Sequence, residues 1–354
     1  MRINHIDISF IEILKTIKGG YVVFETMESL NPQFALFQGD MIYADNNIPA
    51  IKAIPDAIGG GNWTNNPSKD FIAVTLDEFR ANWKYNFGDD KMQSFLSKTP
   101  VFVQWDDHEV TNNWWPGEVM AGKYEAGTAA DSLYVNSLQS FYEFNPIMED
   151  SSIYRKQRFG KNVEIFFPDY RSFRDPNPDN SNPDGSAMMG KEQLEWLKQG
   201  LLESTATWKI ISSHDPIGIV TGGDGDRDSF GQMDPAILGR EFEVKELLAF
   251  INDNDIHNVV SLTSDVHFTA HVNMDPSRAE GGFKDFKPLN EFVVGPTHSG
   301  SFGPNYMDTS FGAHYVYGTF GSKYFFNSLY SLEERLSNYA NLIIIIKMFK
   351  RWVL

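Results

Sequence analysis

Six short runs, mostly apolar and rich in Val, Ile and Phe, recur at residues 34–38, 101–105, 163–167, 208–213, 258–263 and 292–294. Each is short for a helix and reads as a buried strand. Between some of them the apolar spacing becomes helical, at 76–85, 132–144, 191–202 and 235–253. The last of these carries Ile237, Phe242, Val244, Leu247, Leu248 and Ile251. Strands alternating with helices constrain the chain to an α/β layered fold. Its 354 residues suffice for one large domain or two average ones.

The residues after each run narrow the reading further. Gly39-Asp40-Met41-Ile42-Tyr43 follows the first, Asp106-Asp107-His108-Glu109 the second and Pro168-Asp169-Tyr170-Arg171 the third. His214-Asp215-Pro216 follows the fourth, Ser264-Asp265-Val266-His267 the fifth, and Pro296-Thr297-His298 comes shortly after the sixth. Acidic and imidazole groups thus collect at strand C-terminal ends, where α/β sheets carry their active sites. One such cluster alone is as readily a turn or a helix cap. Six in succession point to a site. Three long loops, at 45–69, 114–130 and 174–190, read as covers or insertions.

Charge and composition exclude several functions. With 47 acidic against 30 basic residues the net charge is −17, which argues against a broad basic surface for a nucleic-acid backbone. The sequence has no Cys, which removes thiolate nucleophiles, Cys-based zinc sites and iron–sulfur clusters. Residues 1–20 lack the basic region, apolar run and small-residue cleavage site of an export signal. The apolar tract 342–346 runs straight into Lys347, Lys350 and Arg351 and is too short to span a bilayer, so no transmembrane helix is expected.

Asp40 and Tyr43 lie three apart on the turn leaving the first strand, where Gly39 permits a close backbone approach. An aspartate can bridge two cations, and a phenolate suits a hard, highly charged metal such as ferric iron; Gly-Asp by itself is equally a turn. Asp106 and Asp107 repel each other unless protonated, paired or bound to a cation. His108 beside them can act as an acid or as a donor to developing negative charge. Asp265 and His267 share one side if their segment is extended, and His271 can join them if the chain turns. Arg171 and Arg174 are suited to hold a phosphate, or to pair with Asp169 or Asp175. His5, His257 and His314 read as structural or surface residues, while His214 and His298 stay open.

In this order, Gly39-Asp40-x-x-Tyr43, Asp106-Asp107-His108-Glu109 with Asn112-Asn113, Asp169-x-Arg171-x-x-Arg174 and Asp265-Val266-His267 resemble the motifs of PhoD-like alkaline phosphatases, a branch of the metallophosphoesterase superfamily. The resemblance covers roughly residues 19–317. It implies a four-layer αββα sandwich with a dinuclear metal centre at the C-terminal edge of the strands. By this resemblance Asp107 matches a metal ligand and His108 the catalytic histidine. Asp40, Tyr43, Asp106, Asn113, Asp265 and His267 join the implied ligand set, although which of Asp106 and Asp107 binds stays open. Arg171 and Arg174 are the implied substrate-binding residues. The implied metals are Fe(III) with Ca(II), or other divalent ions. The implied reaction is hydrolysis of a small phosphate ester by a metal-activated water, with His108 serving the leaving oxygen. The family also implies a periplasmic or extracellular location.

Two departures shape the alternatives. The family's first strand, with a metal-ligating Cys, is expected before Gly20, and residues 1–18 show neither. Ser264-Asp265 also stands where Gly-Asp is usual, and residues 318–354 do not resemble the family's closing strands. The expectation is therefore a single metallophosphatase domain over 1–354 with its first strand missing and an atypical end. The rival readings are a phosphodiesterase acting on phospholipid or nucleotide diesters, and a truncated, inactive relic of the fold. A more distant one, a carbohydrate-binding module, rests on Trp63, Trp114 and Trp115.

Overall fold

The computed structural model describes residues 21–53, 61–64, 69–147, 153–223, 225–297, 299 and 301–320. Residues 1–18, the tract 342–346, His5 and His298 lie outside them. The structure is mixed α/β and divides into two compact units, one built on Met1–Glu149 and the other on Asp150–Pro296 with Ser301–Phe326.

The first unit contains α1 (Val23–Ser29), β1 (Ala35–Gln38), the small antiparallel pair β2 (Ile51–Ala53) and β3 (Asn62–Thr64), α2 (Leu76–Phe87), α3 (Asp90–Leu96), β4 (Val101–Gln104) and α4 (Ala130–Phe144). Strands β1 and β4 are parallel, with Ala35 opposite Val101 and Gln38 opposite Gln104. Both therefore end at one level, and the chain leaves them side by side at Gly39 and Trp105. Helix α2 starts at a capping box, in which the Thr75 hydroxyl and the Glu78 carboxylate each satisfy a backbone N–H of the other's segment. Its Trp83 packs against Phe141 and Phe144 of α4, with ring centroids 6.0 and 6.2 Å apart. Trp105 joins the same core through Phe141 at 5.7 Å and Trp114 at 6.1 Å. Trp114 is thus a fully buried core residue, which removes one support from the carbohydrate-binding reading.

The second unit contains β5 (Arg155–Phe159), β6 (Val163–Phe167), α5 (Gly190–Glu203), β7 (Trp208–Ser212), the short pair β8 (Gly222–Gly223) and β9 (Asp226–Arg227), α6 (Glu241–Asp253), β10 (Val259–Thr263), β11 (Thr269–Met274), β12 (Leu289–Val293) and β13 (Ala313–Thr319). Seven strands form one sheet in the order β13-β11-β12-β10-β7-β6-β5. The central β12, β10, β7 and β6 are parallel; the last three coincide with apolar runs legible in the sequence, while β12 begins at Leu289, three residues before the run expected at 292–294. Antiparallel strands flank them: β5 on one side, β11 and then β13 on the other. Leu194, Leu197 and Leu201 of α5 and Val244, Leu247, Leu248 and Ile251 of α6 share one buried cluster with Phe166 and Ile211 of the sheet. Their burial supplies the main drive for this layer. Helix α6 begins at Glu241, six residues later than the predicted 235, because the Glu241 carboxylate turns back to accept the Leu238 N–H at 2.9 Å. No described helix is long and apolar enough to cross a membrane.

Candidate metal centre

The parallel pairing of β1 and β4 creates the acidic cluster of the first unit. Gly39 has φ +88°, and a Cβ there would lie 2.3 Å from the Asp106 Cβ, so only glycine lets the two strand exits approach this closely. Asp40 itself is left-handed at φ +55°. Glu109 then binds the two turns together: its carboxylate accepts the N–H of Asp40 at 2.9 Å, Met41 at 2.6 Å, Ile42 at 3.2 Å and Asp106 at 2.7 Å. The motif contains Glu109, but its residue type alone gave it no assignable role.

Asp106 and Asp107 follow β4 and are both almost fully buried. Asp106 Oδ1 accepts the Asp107 N–H at 2.8 Å, while Asp107 accepts the N–H of His108 at 2.8 Å and of Asn113 at 2.7 Å. Asn113, at φ +54°, is thereby fixed beside Asp107. Tyr43 donates its hydroxyl to Asp40 Oδ2 at 2.8 Å, and its ring lies 4.0 Å from that of His108. The first unit thus brings together Asp40, Tyr43, Asp106, Asp107, His108 and Asn113.

Electrostatics define what this cluster lacks. Burial, followed by the charges of Asp107, Asp106 and Glu109, raises Asp40 well above the usual carboxylate range, although His108 opposes the shift. Burial and then Asp40 hold the Tyr43 phenol well above its ordinary value. Burial alone would lower His108, but the carboxylates of Asp107, Asp45 and Asp40 raise it well above 6.5. Asp40 Oδ1 is buried and has no hydrogen-bond partner. Asp40, Asp107 and His108 offer ligand atoms within 4.8 Å of one another. An orphaned carboxylate oxygen among mutually repelling carboxylates fits a bound cation, which would satisfy the oxygen and cancel the repulsion.

Asp45 joins His108 although no motif assigned it. Its fully buried carboxylate lies 2.8 Å from His108 Nδ1 through Oδ1, and Oδ2 accepts from the Asn112 N–H at 3.0 Å and Lys123 Nζ at 2.5 Å. Its position two residues after Tyr43 was the available signal. Burial would raise Asp45, but His108 and Lys123 hold it well below the usual carboxylate range.

The second unit places Arg171 and Arg174 in a buried ion network. Arg171 grips Asp228 with Nη1 at 2.8 Å and Nη2 at 2.9 Å and reaches Asp215 at 3.2 Å. Arg174 binds Asp228 at 2.5 Å, Asp215, and the Tyr170 carbonyl at 2.6 Å. Both side chains are inaccessible to solvent. Of the two alternatives legible in sequence, phosphate or ion pair, the geometry shows ion pairs, with Asp215 and Asp228 in place of the expected Asp169 or Asp175. Asp169 instead accepts the N–H of Arg171 at 3.0 Å and of Ser172 at 3.1 Å. Asp265 has ligand atoms within 4.8 Å of those of Asp215 and Asp228.

The segment carrying Asp265 and His267 corrects the expected extended geometry. It is a turn between β10 and β11, with Asp265 at φ +63° and the Val266 N–H donating to the Ser264 carbonyl at 2.7 Å. The ring of His267 stands 4.8 Å from that of Phe302. His271 belongs to β11, where it bonds Asn290 at 2.9 Å and stacks on Phe292 at 4.7 Å. His214 is fully buried and its Nε2 accepts the Tyr170 N–H at 3.2 Å.

A family model of PhoD-like phosphatases matches residues 13–324, which run through both units. The chain belongs to the PhoD-like phosphatase family. Among curated relatives, alkaline phosphatase D of Bacillus subtilis (strain 168) is 26% identical over 282 residues, covering 72% of this chain and 45% of the relative. A solved structure of PhoD superposes with a TM-score of 0.61 at 23% identity, covering 80% of this chain and 55% of that one. The structural likeness shows a shared PhoD fold. This PhoD-like chain spans about half the length of the relatives it matches.

Proposed function

We propose that this chain is a metal-dependent phosphoesterase that hydrolyses small phosphate esters at the acidic cluster of its first unit. The observation that carries the reading is the buried, unpartnered Asp40 Oδ1 facing a set of carboxylates. Membership of the PhoD-like phosphatase family and the likeness to alkaline phosphatase D give the reaction class.

Asp40, Asp106, Asp107, Asn113 and Tyr43 would hold the cations, with Asp265 and His267 the ligands that the family resemblance assigns to the second unit. Tyr43 supplies a phenolic oxygen suited to ferric iron, and the carboxylate and amide oxygens suit calcium. Bound cations would neutralise the phosphate oxygens and make a water acidic enough to attack phosphorus. Asp40 orients Tyr43 through their shared hydrogen bond. His108 places its ring beside these ligands and protonates the leaving oxygen. The buried Arg171 and Arg174 shape their unit through Asp215 and Asp228. The same reading carries the single-domain, four-layer αββα arrangement that the family resemblance implies.

The test pairs elemental analysis of protein purified without chelator with rates on para-nitrophenyl phosphate and its diester, bis-para-nitrophenyl phosphate. The expected result is bound metal and faster cleavage of the monoester. A preference for the diester would favour the phosphodiesterase, and metal-replete protein inactive on both would favour the relic.

A further inference from the structure

Lys123 stands 78 residues from Asp45 in the chain, yet its ammonium meets the Asp45 carboxylate at 2.5 Å. It is carried by a closed hairpin: Val119 bridges Ala129, the Met120 N–H donates to the Thr128 carbonyl at 2.7 Å, and the Ala130 N–H donates to the Glu118 carbonyl at 2.8 Å where α4 begins. Its Nζ also lies 5.7 Å from the centre of the buried Tyr124 ring. The ammonium therefore has a defined place.

Asp45 has no solvent-facing side-chain surface, so each oxygen must be satisfied from within. Oδ2 takes Lys123 and the Asn112 N–H, while Oδ1 meets His108 Nδ1 at 2.8 Å and accepts a longer bond from the Asn46 side-chain amide at 3.2 Å. A carboxylate only accepts, so Nδ1 carries the donated proton and Nε2 is the ring atom left for chemistry. The Tyr43 ring, 4.0 Å from the imidazole, restricts rotation on one face. Without Lys123, Asp45 would keep a single backbone donor on Oδ2 and a partly unpaired charge in a buried place.

We propose that Lys123 is a positioning residue for His108, acting through Asp45 to fix the tautomer and aim of the imidazole. The proposal rests on the phosphoesterase reading above. In that reaction the attacking water oxygen forms a bond to phosphorus as the bond to the leaving oxygen breaks. The electron pair of the broken bond goes to the leaving oxygen, which takes the Nε2 proton of the doubly protonated His108 ring and leaves it neutral with its proton on Nδ1; the proton shed by the attacking water passes to solvent, from which Nε2 is reprotonated. An alkoxide leaving group needs that proton far more than a nitrophenolate does.

The test uses full-length, metal-replete wild type, Lys123→Met, Lys123→Arg and Asp45→Asn, with metal content and melting temperature checked for each. Lys123→Met is expected to lower kcat on glycerol phosphate by about ten- to a hundredfold with KM unchanged. Its loss on para-nitrophenyl phosphate should stay below about threefold, Asp45→Asn should show the same dependence on leaving group, and Lys123→Arg should restore most of the rate. Nitrogen NMR of the His108 ring at a pH high enough to observe its neutral form, assigned with His108→Gln, should show the Nδ1-protonated tautomer in wild type and its loss in Lys123→Met. Equal losses on both esters, an effect confined to KM, or an unchanged tautomer would overturn the proposal. If wild type cleaves neither ester, the phosphoesterase reading falls, and the tautomer comparison still decides the role of Lys123.

Discussion

Replacing Gly39 by alanine isolates the contact on which the acidic cluster depends. Gly39 sits at φ +88°, where an L-residue costs about 1–2 kcal/mol. The added methyl would also meet Asp106 at 2.3 Å from Cβ, 2.8 Å from N and 3.1 Å from Cα. These atoms belong to the backbone or its first side-chain carbon, so no flexible chain end can give way, and the overlap adds about 1–3 kcal/mol. The expected total is about 2–5 kcal/mol, a large part of the stability of an ordinary domain. Gly117 provides the comparison: its φ is +80°, and nothing lies within 4 Å of an added Cβ, so Gly117→Ala should cost only about 1–2 kcal/mol. Urea titrations of metal-free protein, read as midpoints at equal slope, measure both. The Gly39 variant should also lose metal affinity, since separating the two strand exits pulls Asp40 and Asp106 away from their common clamp, Glu109. Equal losses for the two variants, or wild-type metal affinity in Gly39→Ala, would show that the close approach is not what builds the cluster.

Asp40→Asn should abolish metal binding and ester hydrolysis while raising the melting temperature of metal-free protein at alkaline pH, because it removes a carboxyl that can ionise only against burial and its acidic neighbours; a lower metal-free melting temperature there would count against this. Arg174→Met leaves Asp215 and Asp228 short of a counter-charge and should cost about 3–5 kcal/mol in chemical denaturation, whereas a surface-like effect below about 0.5 kcal/mol would refute the network's role. Glu241 is raised above the ordinary carboxylate range by burial and by neighbouring Asp308, and its stabilising share is complete at acid pH. That share is lost as pH rises towards the raised folded value, at about 1.4 kcal/mol per pH unit for the one proton bound in the folded state. Glu241→Gln should flatten this decline in melts taken from weakly acid to alkaline pH, and an unchanged slope would exclude Glu241 as its source.

The legible part of the fold was the part buried on both faces. Runs such as Val163–Phe167 and Val259–Thr263 are mostly apolar, and four of the five residues in each are buried. Arg155–Phe159 was missed because an edge strand can carry Arg, Lys and Gln without burying them. Thr269–Met274 was missed because its Thr, His and Asn interrupt the apolar run. Local spacing also linked Asp40 with Tyr43, three residues on in the same turn, whereas Asn113 was assigned only by the family resemblance. Spacing could not pair Arg171 with Asp228 or Lys123 with Asp45, which meet only when distant segments fold together. Asp265 and His267 were assigned a shared face by strand periodicity, and the left-handed Asp265 removes that basis.

The Glu109 clamp has one more consequence. Four amide N–H groups converge on its carboxylate from the Asp40–Ile42 turn and Asp106. Converging amides of this kind are what loops elsewhere use to capture phosphate. Here the protein fills that cradle with its own carboxylate, so on the proposed reading a phosphate ester would find no preformed anion site at this spot and would meet a surplus of acidic groups. On the proposed phosphoesterase reading, assembly would then be sequential, with cations entering first and the ester second. Substrate protection of this cluster should be absent from chelated protein and appear only after metal is restored.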